Sequence, residues 1–389
     1  MISRETEKIL IKLAKGYPVI TITGPRQSGK TTLAKYIFHA KPYVSLENPD
    51  TREIAENDPR GFLHQYQNGA ILDEVQRTPH LLSYLQQIVD EKKTPGHYIL
   101  TGSQQFGLLS GITQSLAGRT AQVTLLPFSL NECYGDSITN LSLDRVMFTG
   151  LYPPVHDRKL DPGIWYANYV QTYIERDIRQ LINVRDLSTF QRFIRLCAAR
   201  TGMLLNLTGL ASDCGITHNT AKAWISMLEA SFIVYLLQPH FSNFNKRLIK
   251  TPKLYFYDTG LACWLLGIQN AEQLSTHSMR GPFFESFIIS EFIKSRYNRS
   301  LTSNCYFWRD RRGLEIDLLL EKGEQLLPVE LKSGMTLNDD YFSGLNSWLN
   351  LAGNAAGKAS LIYGGSKSLA IRGVSVYTWK DKNFTKVGI

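Results

Sequence analysis

The sequence predicts an α/β protein of several domains. Three observations carry that expectation. The chain has 389 residues, beyond the length at which a single core stops growing. A β-branched run, Val19-Ile20-Thr21-Ile22-Thr23, leads through a glycine-bounded loop into a helix-like Thr32-Leu33-Ala34-Lys35-Tyr36-Ile37. A second short apolar run, Gly69-Ala70-Ile71-Leu72, ends in the acids Asp73 and Glu74. Strands alternating with helices in this way build a sheet with helices on its faces. The apolar content of 43% and charged content of 20% are those of a folded globular chain.

No apolar run approaches the ~20 residues that a membrane helix needs, and the segment Met1 to Lys8 carries charges of both signs without a signal-peptide core. The expectation is a cytoplasmic protein without a membrane partner. Cys133, Cys197, Cys214, Cys263 and Cys305 lie far apart, are odd in number and lack zinc spacing, which fits reduced buried thiols. The formal charge of +9 is uneven: residues 1 to 150 hold 15 basic against 14 acidic side chains, and residues 151 to 389 hold 28 against 20. Between Arg185 and Phe256 the count is 9 against 3. Such an excess attracts polyanions, nucleic acid before membrane, or else forms a solvated basic face.

The loop after the first run reads Gly24-Pro25-Arg26-Gln27-Ser28-Gly29-Lys30-Thr31, followed by Thr32. It satisfies G-x-x-x-x-G-K-[ST] between a strand and a helix, the context that gives the pattern physical meaning. The glycines let backbone N–H groups close on phosphate oxygens, and the helix N-terminus adds partial positive charge. Lys30 is expected to reach the β and γ phosphates of ATP, and Thr31 to hold Mg²⁺. In an open α/β sheet the strand C-termini line the ligand crevice. Asp73 can therefore help hold the metal with Thr31, while Glu74 polarises a water for in-line attack on the γ-phosphate. The alternative is an acidic strand end in solvent. A third strand, His97 to Ser103, ends in polar groups. Ser103 is the candidate for orienting the same water or the γ-phosphate, with an ordinary strand-end cap as the alternative.

Ser115-Leu116-Ala117-Gly118-Arg119-Thr120 and the apolar Ala121 to Leu126 follow. In order and spacing, the segments GPRQSGKTTL, ILDEVQ, LTGSQQ and SLAGRT resemble the AAA+ ATPase domain of a prokaryotic family. That resemblance implies that Arg119 reaches the γ-phosphate of a neighbouring subunit and that the working form is a homo-oligomer, such as a ring. A guanidinium in that place stabilises charge on the transferring phosphoryl group, worth ~10³ to 10⁵ in rate. Arg119 could equally cap a helix or pair with a surface acid. Asn168 to Ile178 reads as an amphipathic helix, a candidate lid over the nucleotide. Within it Arg176 is either a phosphate sensor of the same chain or the partner of a nearby acid.

Asn206 to Asp213 predicts a short helix, Cys214-Gly215-Ile216 a turn, and Thr217 the cap of a second helix running through Leu228. Ala221, Ile225 and Leu228 form its inner face, leaving His218, Asn219, Lys222 and Ser226 outward, where base edges would be read. Ile233 to Leu237 and Lys253 to Tyr257 pair as strands around a basic tip with Lys246, Arg247 and Lys250. This reads as a winged helix-turn-helix that touches DNA phosphates through its wing and bases through its helix, or as a protein-docking module.

Gly281 to Phe292 begins a helix, and strands are expected at Cys305 to Trp308, Leu314 to Leu320 and Leu326 to Lys332. Folding about the turn Glu321-Lys322-Gly323-Glu324 sets Asp317 about two residues out of register with Glu330, as a diagonal pair. Alternation places Glu330 and Lys332 on one face, so Asp317, Glu330 and Lys332 can surround one metal ion. Asp317 followed by Glu330-Leu331-Lys332 resembles the PD-(D/E)xK pattern of restriction-endonuclease-like folds, in which the acids bind Mg²⁺ and the lysine offsets developing charge. Glu285 on the preceding helix matches that family's additional acid. A helix from Asn338 to Asn350 and a strand from Ala359 to Tyr363 complete its α-β-β-β-α-β order. Two departures are Ile316 in place of the motif's proline and Pro328 inside the third strand, where it cannot donate to a ladder.

The expected organisation is an AAA+ P-loop ATPase core at 1–150, a helical lid or linker at 151–187, a winged helix-turn-helix at 188–257 and a restriction-endonuclease-like α/β domain at 258–389. Two functions compete. One is an oligomeric Mg-ATP hydrolase that couples turnover to DNA binding or cutting. The other is an ATP-dependent switch that recruits a protein partner, with an inactive nuclease-like region.

Overall fold

A computed structural model describes residues 2–103, 115–178, 186–241 and 249–388, and for Glu175 to Ile178 the backbone only. The candidates Lys246 and Arg247, and the side chain of Arg176, lie outside the described residues. The chain forms two compact units. The first comprises Met1–Phe128 with the short returns Ala230–Phe232 and Tyr297–Leu301. The second comprises Ser129–Glu229, Ile233–Arg296 and the residues from Thr302 onward. The long N-terminal stretch of the first unit thus ends at Phe128, before residue 150, and the stretch that follows, the expected lid included, is grouped with the second unit.

In the first unit, β1 (Val19–Thr23), β2 (Tyr43–Ser45), β3 (Ile71–Asp73), β4 (Tyr98–Gly102) and β5 (Thr120–Thr124) form a sheet in the order β2-β3-β4-β1-β5, with every pairing parallel. Both faces of β1 are covered, which is why it is apolar and β-branched rather than alternating with charge. Ile20 and Ile22 pack with Leu10 of the helix Glu7–Leu13 and with Leu33 of the helix Lys30–Ile37. On the opposite face Val19, Leu72 and Leu100 pack with Phe62, Leu81, Leu82 and Leu85. β4 lies between β1 and β3, so its polar C-terminal end separates the phosphate loop from the two acids.

In the second unit the amphipathic helix expected from Asn168 begins earlier, at Pro162, where Asp161 accepts from the Ile164 N–H at 2.9 Å. It continues as a wider π-type turn over Val170–Ile178. The Thr172 hydroxyl takes the Asn168 carbonyl at 2.6 Å and so competes for an intrahelical acceptor.

Asn206 caps the helix Leu207–Cys214, Gly215 ends it in the left-handed conformation at φ 69°, and Thr217 accepts the Thr220 N–H at 3.1 Å to start His218–Ala230. Ala221, Ile225 and Leu228 are buried, with Trp224 between them. Phe190 and Phe193 of the helix Leu187–Ala199 stand edge-on to that indole at 5.2 and 5.1 Å. β6 (Val234–Leu237) and β7 (Lys253–Phe256) pair antiparallel. Beyond Leu237 the chain goes on to pair with β8 (Cys305–Arg309): the Phe307 N–H donates to the Gln238 carbonyl at 3.1 Å and the His240 N–H to the Phe307 carbonyl at 2.7 Å. The ribbon is therefore joined to the sheet that follows, within one compact unit.

That sheet has six strands, including β9 (Glu315–Lys322), β10 (Gln325–Lys332), β11 (Ser360–Tyr363), β12 (Leu369–Ile371) and β13 (Val374–Thr378), in the order β12-β13-β11-β10-β9-β8. β12 and β13 were not anticipated from sequence. The helix Asp340–Ala352 covers one face through Phe342, Leu345 and Trp348. The helix Arg280–Tyr297 is buried along most of its length, in keeping with its apolar residues on every side.

Two expectations about the β9–β10 hairpin are corrected. Its loop is Gly323-Glu324 between Lys322 and Gln325, with Gly323 at φ 61°, one residue later than expected. Val329 consequently faces Leu318, and the next step sets Glu330 directly opposite Asp317 rather than diagonal to it. Pro328 is tolerated because the Leu331 N–H points toward β9, where it meets Asp317 Oδ2 at 2.9 Å. Amide directions alternate along a strand, so the Pro328 nitrogen points toward β11, whose ladder begins only at Val329 with Ser360.

Cys197, Cys214, Cys263 and Cys305 are buried and Cys133 half-buried, all as free thiols. Among the described residues no helix is long and apolar enough to cross a membrane.

Candidate active site

The phosphate loop leaves the C-terminal end of β1. Gly24 adopts φ +147° against the end of β5, where a Cβ would stand 2.1 Å from the Leu125 carbonyl oxygen. Gln27 and Gly29 have φ of 62° and 93°, and this left-handed backbone curls the loop and turns amides inward. Lys30 is buried, with Nζ donating to the Gly24 and Pro25 carbonyls at 3.0 and 2.7 Å. Burial lowers its pKa to about 8, with Glu74 and Asp73 opposing the shift. The Ser28 Oγ is buried without a hydrogen-bond partner among the described residues. Pro25 is buried, Arg26 lies 3.7 Å from Glu47, and Thr32 and Gln27 are exposed.

The Thr31 hydroxyl donates to Asp73 Oδ1 at 2.9 Å. Tyr43 donates to Oδ2 at 2.7 Å, and Thr101, at the end of β4, also donates to Oδ1. Burial, with the Asp73 hydrogen bond adding to it, raises the Tyr43 phenol to about 12 and keeps it a donor. Glu74 occupies the left-handed region at φ 58° immediately after β3. Its Oε2 accepts from Ser103 at 3.0 Å and from Gln76. Lys30, Thr31, Asp73, Glu74 and Ser103 thus lie together along the C-terminal edge of the sheet. A hydroxyl beside a carboxylate is a hard-oxygen donor pair suited to Mg²⁺, and an inward-turned amide loop with a buried ammonium suits a triphosphate. The residues present therefore fit Mg-ATP.

Sequence reasoning missed Arg4, Tyr43, Thr101 and Gln76. Thr101 lies in the same strand end as Ser103, two residues before it. Tyr43 and Arg4 come from segments without a motif. Arg4 is buried, with Nη1 donating to the Ser28 carbonyl at 2.9 Å and Nη2 to the Leu126 carbonyl at 2.7 Å, and its guanidinium lies 4.8 Å from the centre of the Phe128 ring.

Arg119 precedes β5, which pairs Val19 with Thr120 at the N-terminal edge of the sheet. The phosphate loop leaves the opposite edge, roughly 13 Å of strand away. Its guanidinium is engaged by Asp90, Nη2 to Oδ2 at 2.8 Å, which is the ion pair weighed as an alternative from sequence.

The second unit gathers Asp317, Glu330, Lys332 and Glu285 with Lys253, Tyr255 and Glu315. Lys332 Nζ lies 2.6 Å from Glu330 Oε1 and 3.8 Å from Asp317 Oδ2. Glu285 Oε2 accepts from Tyr255 at 3.0 Å and lies 3.9 Å from Lys253 Nζ, which also pairs with Glu315. Burial and the charge of Asp317 push the carboxyls of Glu330 and Glu285 up to about 8. Glu330 Oε2 is buried without a partner among the described residues. No group of three or more His, Cys, Asp or Glu side chains is arranged to hold a metal ion among the described residues. His218, Asn219, Lys222 and Lys250 are exposed.

Residues 16–134 match the AAA domain family. Residues 140–272 and 280–381 match two domains of unknown function, DUF8612 and DUF4143. The chain is 30% identical over 324 residues to the uncharacterised protein Rv2008c of Mycobacterium tuberculosis, covering 82% of this chain and 71% of that protein. The uncharacterised protein Mb2031c of Mycobacterium bovis matches to the same extent. Among solved structures, the Walker-type ATPase PABY2304 of Pyrococcus abyssi aligns with a TM-score of 0.45 at 13% identity, over 68% of this chain and 96% of that one. With its 30% identity to Rv2008c along most of its length, the chain belongs to the family of Rv2008c and carries an AAA domain around its phosphate loop.

Proposed function

We propose that the chain binds Mg-ATP in the Gly24–Thr31 loop and hydrolyses it, works as a homo-oligomer, and couples turnover to DNA through its C-terminal region. The observation that carries the ATPase reading is the 2.9 Å hydrogen bond from Thr31 to Asp73, which joins the loop to the acidic end of β3 beside a buried Lys30. Bound Mg²⁺ would neutralise charge on the phosphate tail, with Thr31 and Asp73 holding it. Lys30 exchanges the Gly24 and Pro25 carbonyls for β- and γ-phosphate oxygens. Among the described residues the side-chain partners of Glu74, Ser103 and Gln76, both bind Oε2. Oε1 is left to orient a water for in-line attack. Calorimetric titration with Mg-ATP tests the reading: the parent protein binds, Lys30→Ala does not, and Glu74→Gln binds without turnover. Folded parent protein that gives no heat refutes it.

For the C-terminal region, the exposed His218, Asn219 and Lys222 on a helix behind a tight turn support DNA as the partner. This makes ATP turnover rise with duplex DNA at low salt, where phosphate contacts are strongest. A second reading, a switch that recruits a protein, draws support from Lys332, whose ammonium stands beside both Asp317 and Glu330 where a cation would otherwise balance them. Mg²⁺-dependent cleavage by the parent that is lost in Asp317→Ala assigns a nuclease. Absence of cleavage in both assigns the scaffold.

A further inference from the structure

We propose that Arg4 is a positioning residue for nucleotide binding, acting on the phosphate loop from behind through the Ser28–Gly29 peptide. The proposal rests on the Mg-ATP reading above. In a trans peptide the C=O of one residue and the N–H of the next point in opposite directions. Arg4 Nη1 donates to the Ser28 carbonyl at 2.9 Å, so the Gly29 N–H of the same peptide is directed away from Arg4 and into the hollow of the loop. A charged donor on the carbonyl also polarises the amide and strengthens its N–H as a donor to phosphate. A Cβ built on Gly29 would lie 3.9 Å from Arg4 Nη1, an ordinary contact distance, so the guanidinium packs beside this peptide without requiring glycine there.

The other arm of the fork fixes where the arginine stands. Nη2 donates to the Leu126 carbonyl at 2.7 Å, two residues beyond β5, and the guanidinium lies over the Phe128 ring. One planar side chain therefore ties the loop to the end of the strand neighbouring β1. The segment carrying Arg4 is itself anchored: Thr6 donates to Asn298 Oδ1 at 2.9 Å, and Asn298 Nδ2 donates to Glu5 Oε2 at 3.2 Å. Arg4 touches loop backbone rather than the expected place of the phosphates, so its effect is on affinity and not on the chemical step.

Two variants of the full chain test this by Mg-ATP calorimetry and steady-state turnover. Arg4→Met keeps an unbranched side chain in the buried place of the arginine and removes the charge and both donors. Its Kd and KM should rise by roughly ten- to a hundred-fold, the loss expected for charge-assisted hydrogen bonds, while kcat at saturation stays within about three-fold. Arg4→Lys keeps the charge, but its single ammonium cannot span both carbonyls, and it should show an intermediate loss. Parent-like affinity in Arg4→Met overturns the proposal, as does a fall in kcat with KM unchanged. Parent-like affinity in Arg4→Lys overturns the role of the fork and leaves charge alone. Should Arg4→Met fail to fold, the uncharged Arg4→Gln is read by the same criterion, and parent-like affinity in it overturns the proposal. Folded parent protein that gives no heat with Mg-ATP, like Lys30→Ala, overturns the nucleotide reading itself, an outcome distinct from any Arg4-specific result.

Discussion

The Ser103 hydroxyl donates to Oε2 of Glu74 at 3.0 Å, from the end of β4 to the residue just past β3. The bond holds one carboxylate oxygen and aims the other. Glu74→Gln should retain Mg-ATP affinity and lose turnover by roughly 10²- to 10⁴-fold, the range for a removed general base. Ser103→Ala should bind normally and turn over about ten-fold more slowly, because Gln76 still holds the same oxygen. Steady-state ATPase rates check both, and unchanged turnover in Glu74→Gln removes its assignment as the water-orienting group.

Arg119 lies at the edge of the sheet remote from its own phosphate loop and is paired with Asp90, so the proposed role toward another subunit requires that ion pair to open. Arg119→Ala should bind Mg-ATP like the parent and hydrolyse it ~10³-fold more slowly. Mixing it with Lys30→Ala should recover part of the rate, since intact loops and intact arginines then meet across subunits. A rate unchanged by the substitution restricts Arg119 to its exposed ion pair.

Gly24 combines φ +147° with the Leu125 carbonyl where a side chain would begin. Gly24→Ala should abolish measurable Mg-ATP binding, because the loop must move away from β5. It should also destabilise the first unit by about 1 to 3 kcal/mol through backbone strain. Denaturant midpoints and titration calorimetry read the two effects separately, and parent-like behaviour in both contradicts the close approach.

His97 is buried immediately before β4, and burial, helped by Lys41 and Lys92, lowers its pKa to about 4 from 6.5. The folded state keeps the ring neutral while the unfolded chain protonates near 6.5, so the unfolded state binds more protons in that interval. Stability is therefore full above pH 6.5 and is lost as the pH falls toward 4, by at most about 1.4 kcal/mol per unit. Denaturation at pH 7 and pH 5 should show a smaller difference in His97→Gln than in the parent. Equal pH dependence in the two proteins excludes this ring as the cause.

Much of the first unit was legible in the linear order. Val19 to Thr31 specifies strand, loop and helix locally: β-branched residues favour extended backbone, glycines admit positive φ, and Lys30-Thr31 open a helix. Asp73 and Glu74 were recognisable because two acids at the end of an apolar strand have few other uses. The two helices Leu207–Cys214 and His218–Ala230 and the turn between them were legible for the same local reasons, through Asn206, Gly215 and Thr217. In the hairpin the local rule fell short: moving the turn by one residue brought Glu330 opposite Asp317.

By itself, then, the sequence determined the loop that grips phosphate, the acids beside it and the elements that carry them, since each is encoded over a few consecutive residues. Only the tertiary structure decided that Tyr43 and Thr101 hold Asp73, that Arg4 supports Ser28 across 24 positions, that Arg119 pairs with Asp90, and that the ribbon joins β8. Those relations join residues distant along the chain, whose meeting depends on strand order and on the packing of both sheet faces rather than on any local preference.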